Sequence, residues 1–395
     1  MRGRYERRNW VAHPELTEAP PRYRKACEYQ IYLAEPLEEE DFSLPGEIAT
    51  VVSDAELAIA RLNSAAAPQL APLARLLLRT ESIASSKVEG MQVDAKQLAR
   101  AEVRNDIGRK SSTEALEILA NVDAMQFAID ETARAQHMNV HEIVAVHRVL
   151  MERSNPKIAG RLRDGHNWIG GNNYNPCGAD FVPPPPEQVA ALLDDLCRFC
   201  ERDDLPTLVQ AALVHAQFET IHPFDDGNGR TGRALVQVIL RRRGLAPNFV
   251  PPVSVVLARE KEKYIRGLTA YREDRVQEWI EIFSLATTKA SKLAERYLQR
   301  VTDLQEKWRD QLKATVNPRS DAAAWTLIDV LPAHPVMTLP VGVAATGKSK
   351  PAVNGAIPDL VAAGILRSLS DSRRNRAWEA SELLDLIVDL ESGIG

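Results

Sequence analysis

The sequence predicts a mainly α-helical chain that carries one small β-hairpin flap and a separate C-terminal unit, and three observations predict it. Apolar residues return every three or four positions along 53–66, 70–89, 113–133, 139–152, 187–202, 206–220 and 230–243, the period of helices with one buried face. The stretch from Asn167 to Pro186 breaks that period with Gly170-Gly171, Asn172-Asn173, Asn175-Pro176 and four consecutive prolines, which reads as a hairpin or flap. Asn317-Pro318 then marks a boundary, because a proline biases its predecessor away from helix.

Size and composition agree with this. A chain of 395 residues is long enough for two or three packed units. With 45% hydrophobic and 26% charged residues it is neither collagen-like, mucin-like nor wholly disordered. The net charge of −5 excludes a surface built throughout for nucleic acid and leaves room for a local basic patch. Cys27, Cys177, Cys197 and Cys200 are too few for a disulfide scaffold and are expected to be reduced thiols. Cys197 and Cys200 stand three apart without a second pair to complete a zinc tetrahedron. No apolar run approaches the roughly 18 residues of a spanning helix, and the first 25 residues are charged rather than signal-like. A cytoplasmic protein with no membrane partner is the expectation.

In chain order, residues 1–45 are rich in Arg, Glu and Pro and weakly periodic, and are expected to form an arm. Residues 46–110 form an N-terminal helical region, and 111–290 a helical core that includes the flap. A long helical stretch from Glu273 to Gln311 is apolar at Trp279, Ile282 and Phe283 and charged toward Trp308, so 291–317 reads as a connecting helix. The final unit, 318–395, shows a helix near Asp321 to Leu331, a short one from Leu339 to Ala345, a turn at Thr346-Gly347 and a helix from Ser349 to Ala363. A basic hairpin from Ser368 to Arg376, closed by Trp378, follows. That order resembles a winged helix-turn-helix domain, with Arg373, Arg374 and Arg376 on the wing. Those arginines suit contact with DNA phosphates, and they equally suit a solvated turn in a dimerisation or docking domain. Gly342, Gly347, Lys348 and Ser349 match the spacing of a phosphate-binding P-loop, but flanking Pro340 and Pro351 and the lack of a buried strand ahead of them exclude one.

The chemistry concentrates between His222 and Arg233, in the link between two apolar helices. Gly227 and Gly229 permit positive φ, and with Asn228 they can turn successive N–H groups into an anion nest at a helix N-terminus. Arg230 and Arg233, three apart, share a face and add cationic forks for phosphoryl oxygens. Asp226 offers a hard oxygen ligand beside the nest, suited to Mg²⁺ on phosphates, and His222 can accept a proton near neutral pH. Together they propose a Mg²⁺-nucleotide site with a histidine base. No Ser or Cys is placed as an enzyme nucleophile, and Phe224 reads as a core anchor. His215, on the apolar face with Leu208 and Phe218, reads as a core histidine, and Arg241-Arg242-Arg243 as charge complementing a helix C-terminus.

The run His222-Pro223-Phe224-Asp225-Asp226-Gly227-Asn228-Gly229-Arg230-Thr231-Gly232-Arg233 resembles the motif of the Fic family of nucleotidyltransferases at every fixed position. Asn167 to Gly171 and Asp180 to Pro186 look like that family's flap, and the likeness covers roughly residues 40–290. The resemblance implies a Fic-type helical bundle that transfers AMP from ATP to a Ser, Thr or Tyr hydroxyl of a protein target, or of itself, releasing pyrophosphate. It implies His222 as catalytic base, Gly227, Asn228, Gly229, Arg230 and Arg233 as phosphate ligands, and Mg²⁺ on Asp226. Trp168, Ile169 and Gly170 would offer the flap's edge to an extended target, and Tyr264 lies where a nucleoside-pocket helix would be. Gly229 stands where a phosphotransferase branch carries Lys, so the AMP-transferring branch is the closer likeness.

Upstream, Ser85-Ser86-Lys87-Val88-Glu89-Gly90 resembles the family's inhibitory segment. Ser85 and Glu89 are four apart and so share one helical face, and Gly90 suits a helix end. By resemblance Glu89 would pair with Arg233 and leave ATP bound unproductively, and homodimers are common among such proteins. Two alternatives stand beside this reading: removal of AMP from a modified target with the help of Glu89, and an ATP-sensing, DNA-binding transcription regulator.

Overall fold

A computed structural model of the chain describes residues 3–392 other than 14, 16, 65–70, 107, 109 and 370–375. Its elements are β1 (Gly3–Trp10), β2 (Cys27–Ala34), α1 (Gly46–Ser64), α2 (Ala71–Val88), α3 (Ala95–Asp106), α4 (Thr113–Asp130), α5 (Val140–Met151), α6 (Pro186–Cys200), α7 (Thr207–Ile221) and α8 (Asn228–Arg242). There follow α9 (Val253–Arg259), α10 (Lys261–Arg272), α11 (Val276–Thr315), α12 (Ala323–Val330), β3 (Val336–Thr338), α13 (Leu339–Thr346), α14 (Lys350–Ala362), β4 (Arg367–Ser368), β5 (Ala377–Glu379) and α15 (Ser381–Glu391). The chain is mainly helical, as its periodicity dictates. It divides into two compact units, Met1–Ser53 with Phe127–Arg243 and Glu262–Ser284, and Asp54–Gln126 with Gly244–Lys261 and Leu285–Gly395.

The first unit is built around α7, in which every residue except Thr207 and Glu219 is buried. A helix apolar on all sides has to be enclosed, and α6 and α8 pack on it. Its buried Gln210 donates to the carbonyls of Phe199, Cys200 and Arg202 at 2.9, 3.2 and 2.8 Å, serving acceptors that the end of α6 leaves open. Gly232 lets α8 approach closely, since a Cβ there would lie 2.9 Å from the Phe218 ring and 2.7 Å from Glu219 Oε1.

The N-terminal arm contains a hairpin that its weak periodicity did not announce. β1 and β2 pair antiparallel over eight residues each, in register from Gly3 with Ala34 to Trp10 with Cys27. The exposed arginines of β1 (Arg4, Arg7 and Arg8) remove the alternation that marks a strand, whereas Ile31 and Tyr32 of β2 are buried. The expectation of four reduced thiols is also corrected: Cys27 is disulfide-bonded to Cys177, with Cα atoms 6.1 Å apart, and only Cys197 and Cys200 are free thiols, both buried. Nothing in the spacing of two cysteines 150 residues apart announces such a pair.

In the second unit one apolar cluster joins Leu73, Leu76 and Leu77 of α2, Leu98 of α3, Val301 and Trp308 of α11, Leu327 of α12 and Leu384 of α15. β3, β5 and β4 form an antiparallel sheet in that order. Buried Glu379 of β5 receives Arg100 of α3 at 2.9 to 3.2 Å and also Arg367 of β4, so its charge is paired from two sides. Arg376 is exposed beside this sheet, whereas Arg373 and Arg374 lie outside the described residues.

If the cysteine pairing is right, peptide mapping without reductant recovers Cys27 and Cys177 in one cross-linked fragment, while Cys197 and Cys200 react with a thiol reagent only after unfolding. Separate Cys27 and Cys177 peptides from unreduced protein would contradict it.

Candidate active site

α7 ends where His222 adopts φ 49° and ψ 62°, and its N–H closes the helix on Phe218 O at 2.9 Å. That left-handed conformation usually falls to Gly. Here a histidine occupies it, so the imidazole is carried at the turn out of the helix. The backbone around it is held by Arg163, which is 4% exposed. The Nε of Arg163 donates to His222 O at 2.8 Å, its Nη2 to Pro184 O at 2.5 Å and Ile221 O at 3.3 Å, and its Nη1 to Gly165 O at 3.0 Å. Its own N–H meets Pro223 O at 3.0 Å. Burial pulls this guanidinium down to about 10, which leaves it charged at neutral pH.

Phe224 is fully buried, as its reading as an anchor requires, and its ring stacks on that of His147 with centroids 3.7 Å apart. Asn228 brackets the Phe224 backbone, accepting its N–H on Oδ1 at 2.9 Å and donating Nδ2 to its carbonyl at 2.7 Å. His147 Nδ1 accepts the Gly160 N–H at 3.1 Å, which leaves Nε2–H to donate to Asp226 O at 3.0 Å. Desolvation lowers the His147 pKa to about 4, so this ring is neutral at pH 7.

α8 then opens from Gly227, at φ 79°. A side chain is disfavoured there by that φ, and a Cβ would crowd Leu150 Cδ2 and Met151 Sδ at 3.1 Å. Asp226 Oδ1 accepts the Gly227 N–H at 2.6 Å and lies 3.6 Å from Arg230 Nη2, with the Asp226 side chain 64% exposed. Arg230 and Arg233 are buried at 3% and 2% exposure. An exposed carboxylate thus stands at a helix N-terminus whose first N–H groups have no intrahelical acceptor. Such an arrangement suits an anion with its divalent counter-ion. Among the described residues no three or more His, Cys, Asp or Glu side chains form a metal cluster. Mg²⁺ fits Asp226 in the way Mg²⁺ is commonly held beside phosphates, by one or two carboxylates with substrate oxygens and water.

The flap is a narrow loop joined by one antiparallel bridge between Ile169 and Phe181, with Ile169 N donating to Phe181 O at 2.8 Å. Gly170 and Gly171 have φ of 76° and 71°, and Trp168 Nε1 ties the loop by donating to Asn172 O at 2.5 Å. Ile169 is 38% exposed. Asn167, just before the flap, reaches His222 Nδ1 at 3.0 Å and so brings flap and motif together.

Tyr264 is 5% exposed, with its hydroxyl 2.8 Å from Nε2 of buried His215. Desolvation lowers His215 to about 3, which suits the core histidine expected of it. Ser85 and Glu89 belong to the second unit. Ser85 is buried in α2, which stops at Val88, so Glu89 lies in the turn beyond the helix and is exposed. Gly90, at φ 94°, ends that turn as its position suggests. Lys261 Nζ donates to Val88 O at 2.6 Å, and Lys87 pairs with Glu391 at 2.7 Å, fixing the end of α2. Arg163 and His147 were not singled out from the sequence, because no motif spacing links them to the loop they hold.

A helical core whose largely buried turn presents a histidine, an exposed carboxylate and a helix N-terminus has a geometry suited to an anionic ligand. Residues 137–240 match the Fic/DOC family, and residues 49–130 match the Fic/DOC family N-terminal region. Two segments of the chain, rather than the whole of it, are thus similar to the Fic/DOC family. Protein adenylyltransferase Fic of Drosophila erecta is 28% identical over 224 residues, 56% of this chain and 41% of that protein, and its Drosophila melanogaster counterpart matches equally. The chain therefore spans about two fifths of the length of these curated relatives. Among solved structures, a Fic family protein from Desulfovibrio desulfuricans G20 shares the fold with a TM-score of 0.52 at 22% identity, over 86% of this chain and 97% of that one. Fic-1 (residues 134–508) from C. elegans gives 0.52 at 20% identity, over 64% and 73%.

The neutral His147 has a consequence for stability. Its pKa in the folded chain, about 4, lies below the ordinary 6.5, so between these values the unfolded chain binds more protons and stability falls as pH drops. Chemical denaturation at pH 7 and pH 5 is expected to show an acid loss that is smaller in His147→Gln by on the order of 1–2 kcal/mol. An identical loss in both proteins would contradict the assignment.

Proposed function

We propose that this chain transfers AMP from Mg²⁺-ATP to a Ser, Thr or Tyr hydroxyl of a protein, releasing pyrophosphate, and that Glu89 restrains the transfer. The observation that carries the reading is the His222 turn followed directly by the exposed Asp226 and the N-terminus of α8. Relatives that carry the name protein adenylyltransferase support addition of AMP over its removal or mere ATP sensing.

In this account His222 takes the proton of the target hydroxyl as that oxygen attacks the α-phosphate in line. Asn228 and Gly229 direct N–H groups toward the phosphates, Gly227, whose N–H is taken by Asp226 Oδ1, shapes the turn that aims them, and Asn228 and His147 already fix the backbone there against reorganisation. Arg230 neutralises the triphosphate, and Arg233 serves the γ-phosphate. Asp226 would hold Mg²⁺, which when bound would supply charge neutralisation. Trp168, Ile169 and Gly170 receive the target as an extended segment, by backbone pairing more than by sequence. We read the C-terminal α12, β3, α13, α14, β4, β5 and α15 as a winged-helix unit. Among the described residues no helix is long and apolar enough to cross a membrane.

The test incubates the purified chain with ATP labelled on the α or the γ phosphate and compares wild type, Glu89→Gly and His222→Ala. Label from α-ATP alone is expected on protein, at least tenfold stronger in Glu89→Gly, equivalent to about 1.4 kcal/mol of relieved competition, and absent in His222→Ala. Protein labelled from γ-ATP would overturn the AMP assignment, and an unchanged rate in Glu89→Gly would sink the restraint.

A further inference from the structure

Asn167 donates Nδ2 to Phe224 O at 3.0 Å and presents the same NH₂ group to His222 Nδ1 at 3.0 Å. Its Oδ1 is buried and has no hydrogen-bond partner among the described residues. A second amide, Asn228 Nδ2, lies 3.3 Å from the same ring nitrogen. The orientation of Asn228 is fixed, because its Oδ1 accepts Phe224 N–H at 2.9 Å while its Nδ2 donates to Phe224 O at 2.7 Å. Both amides therefore turn N–H groups toward His222 Nδ1. A nitrogen that faces donors is an acceptor, and the neutral ring then carries its proton on Nε2.

An imidazole that is to accept a proton at Nε2 needs the opposite tautomer, with Nδ1–H facing an acceptor. Asn167 Oδ1 is that acceptor in waiting. A half-turn of the amide about its last side-chain bond exchanges Oδ1 and Nδ2; Phe224 O loses its bond from Asn167 but keeps that from Asn228, and the two oxygens, otherwise 3.0 Å apart, have to separate. The Asn228 contact to Nδ1, the longer of the two, is the one that yields.

We propose that Asn167 is a positioning residue that sets the tautomer of His222: as oriented here it holds the ring as an Nε2–H imidazole, and turned over it accepts from Nδ1–H and makes Nε2 the base. The exchange is proton-neutral, since Nε2 releases its proton to water and Nδ1 takes one from water. The proposal rests on the reading of His222 as base and adds a restraint within the first unit, separate from Glu89.

The test uses the full chain with ¹⁵N-labelled histidine and long-range ¹H–¹⁵N spectra above the titration of the ring. Of the eight histidines, His222 is assigned by its loss in His222→Ala. Wild type is expected to show the Nε2–H pattern and Asn167→Asp, whose carboxylate can only accept, the Nδ1–H pattern. Nδ1–H in wild type, or an unchanged Nε2–H pattern in Asn167→Asp, overturns the proposal. In the Glu89→Gly protein, AMP transfer by Asn167→Asp is expected to exceed that of Asn167→Ala at least tenfold, and equal rates overturn the positioning role. A tautomer switch without transfer in any protein supports the assignment and defeats the AMP-transfer reading, so the two failures are distinguishable.

Discussion

The turn between α7 and α8 has to reverse the chain in largely buried surroundings without leaving its carbonyls unpaired, and the arrangement of the site follows from that constraint. A buried acceptor without a donor costs about 1–3 kcal/mol, and several stand in succession here. Side chains from outside the turn serve them: Arg163 those of Ile221 and His222, Asn167 that of Phe224, and His147 that of Asp226. Asn228 closes the set from within the helix. The turn is held by charged and amide groups as much as by apolar contact.

This manner of support explains why the loop resists relaxation when a polyanion approaches. The Phe224 ring, stacked on a neutral imidazole, cannot tilt without disturbing the bond from that imidazole to Asp226 O. Gly227 and Gly232 let α8 and its entry sit close against α5 and α7, so the helix N-terminus is held between packed layers. Arg163, through Pro184, extends the same frame to the base of the flap. Groups fixed before a reaction need not be reorganised during it.

Helices were legible because the 3.6-residue period survives in α4 to α8, where one face or all faces are buried. The motif was legible because a tight turn alone does not call for His, Asp and two Arg together. The residues that hold it were not, since Arg163, 59 positions before His222, and His147, 79 positions before Asp226, reach it only through the tertiary path. Asn167 was visible as part of the flap but not as a partner of the imidazole. The N-terminal hairpin was missed because the arginines of β1 blur the strand alternation, and the Cys27–Cys177 bond was missed because pairing of distant thiols follows from the fold.

That hairpin also bears on the order in which the chain assembles. β2 and the residues just after it take their partners from later in the sequence: Tyr32 N–H donates to Val182 O at 2.9 Å, Leu37 N–H to Asp195 Oδ2 at 2.6 Å and the Tyr32 hydroxyl to Arg272 O at 3.0 Å, the last 240 residues downstream. On a ribosome this segment emerges well before those partners and waits for them before its contacts exist. The β2 segment therefore docks only after Val182, Asp195 and Arg272 have been made.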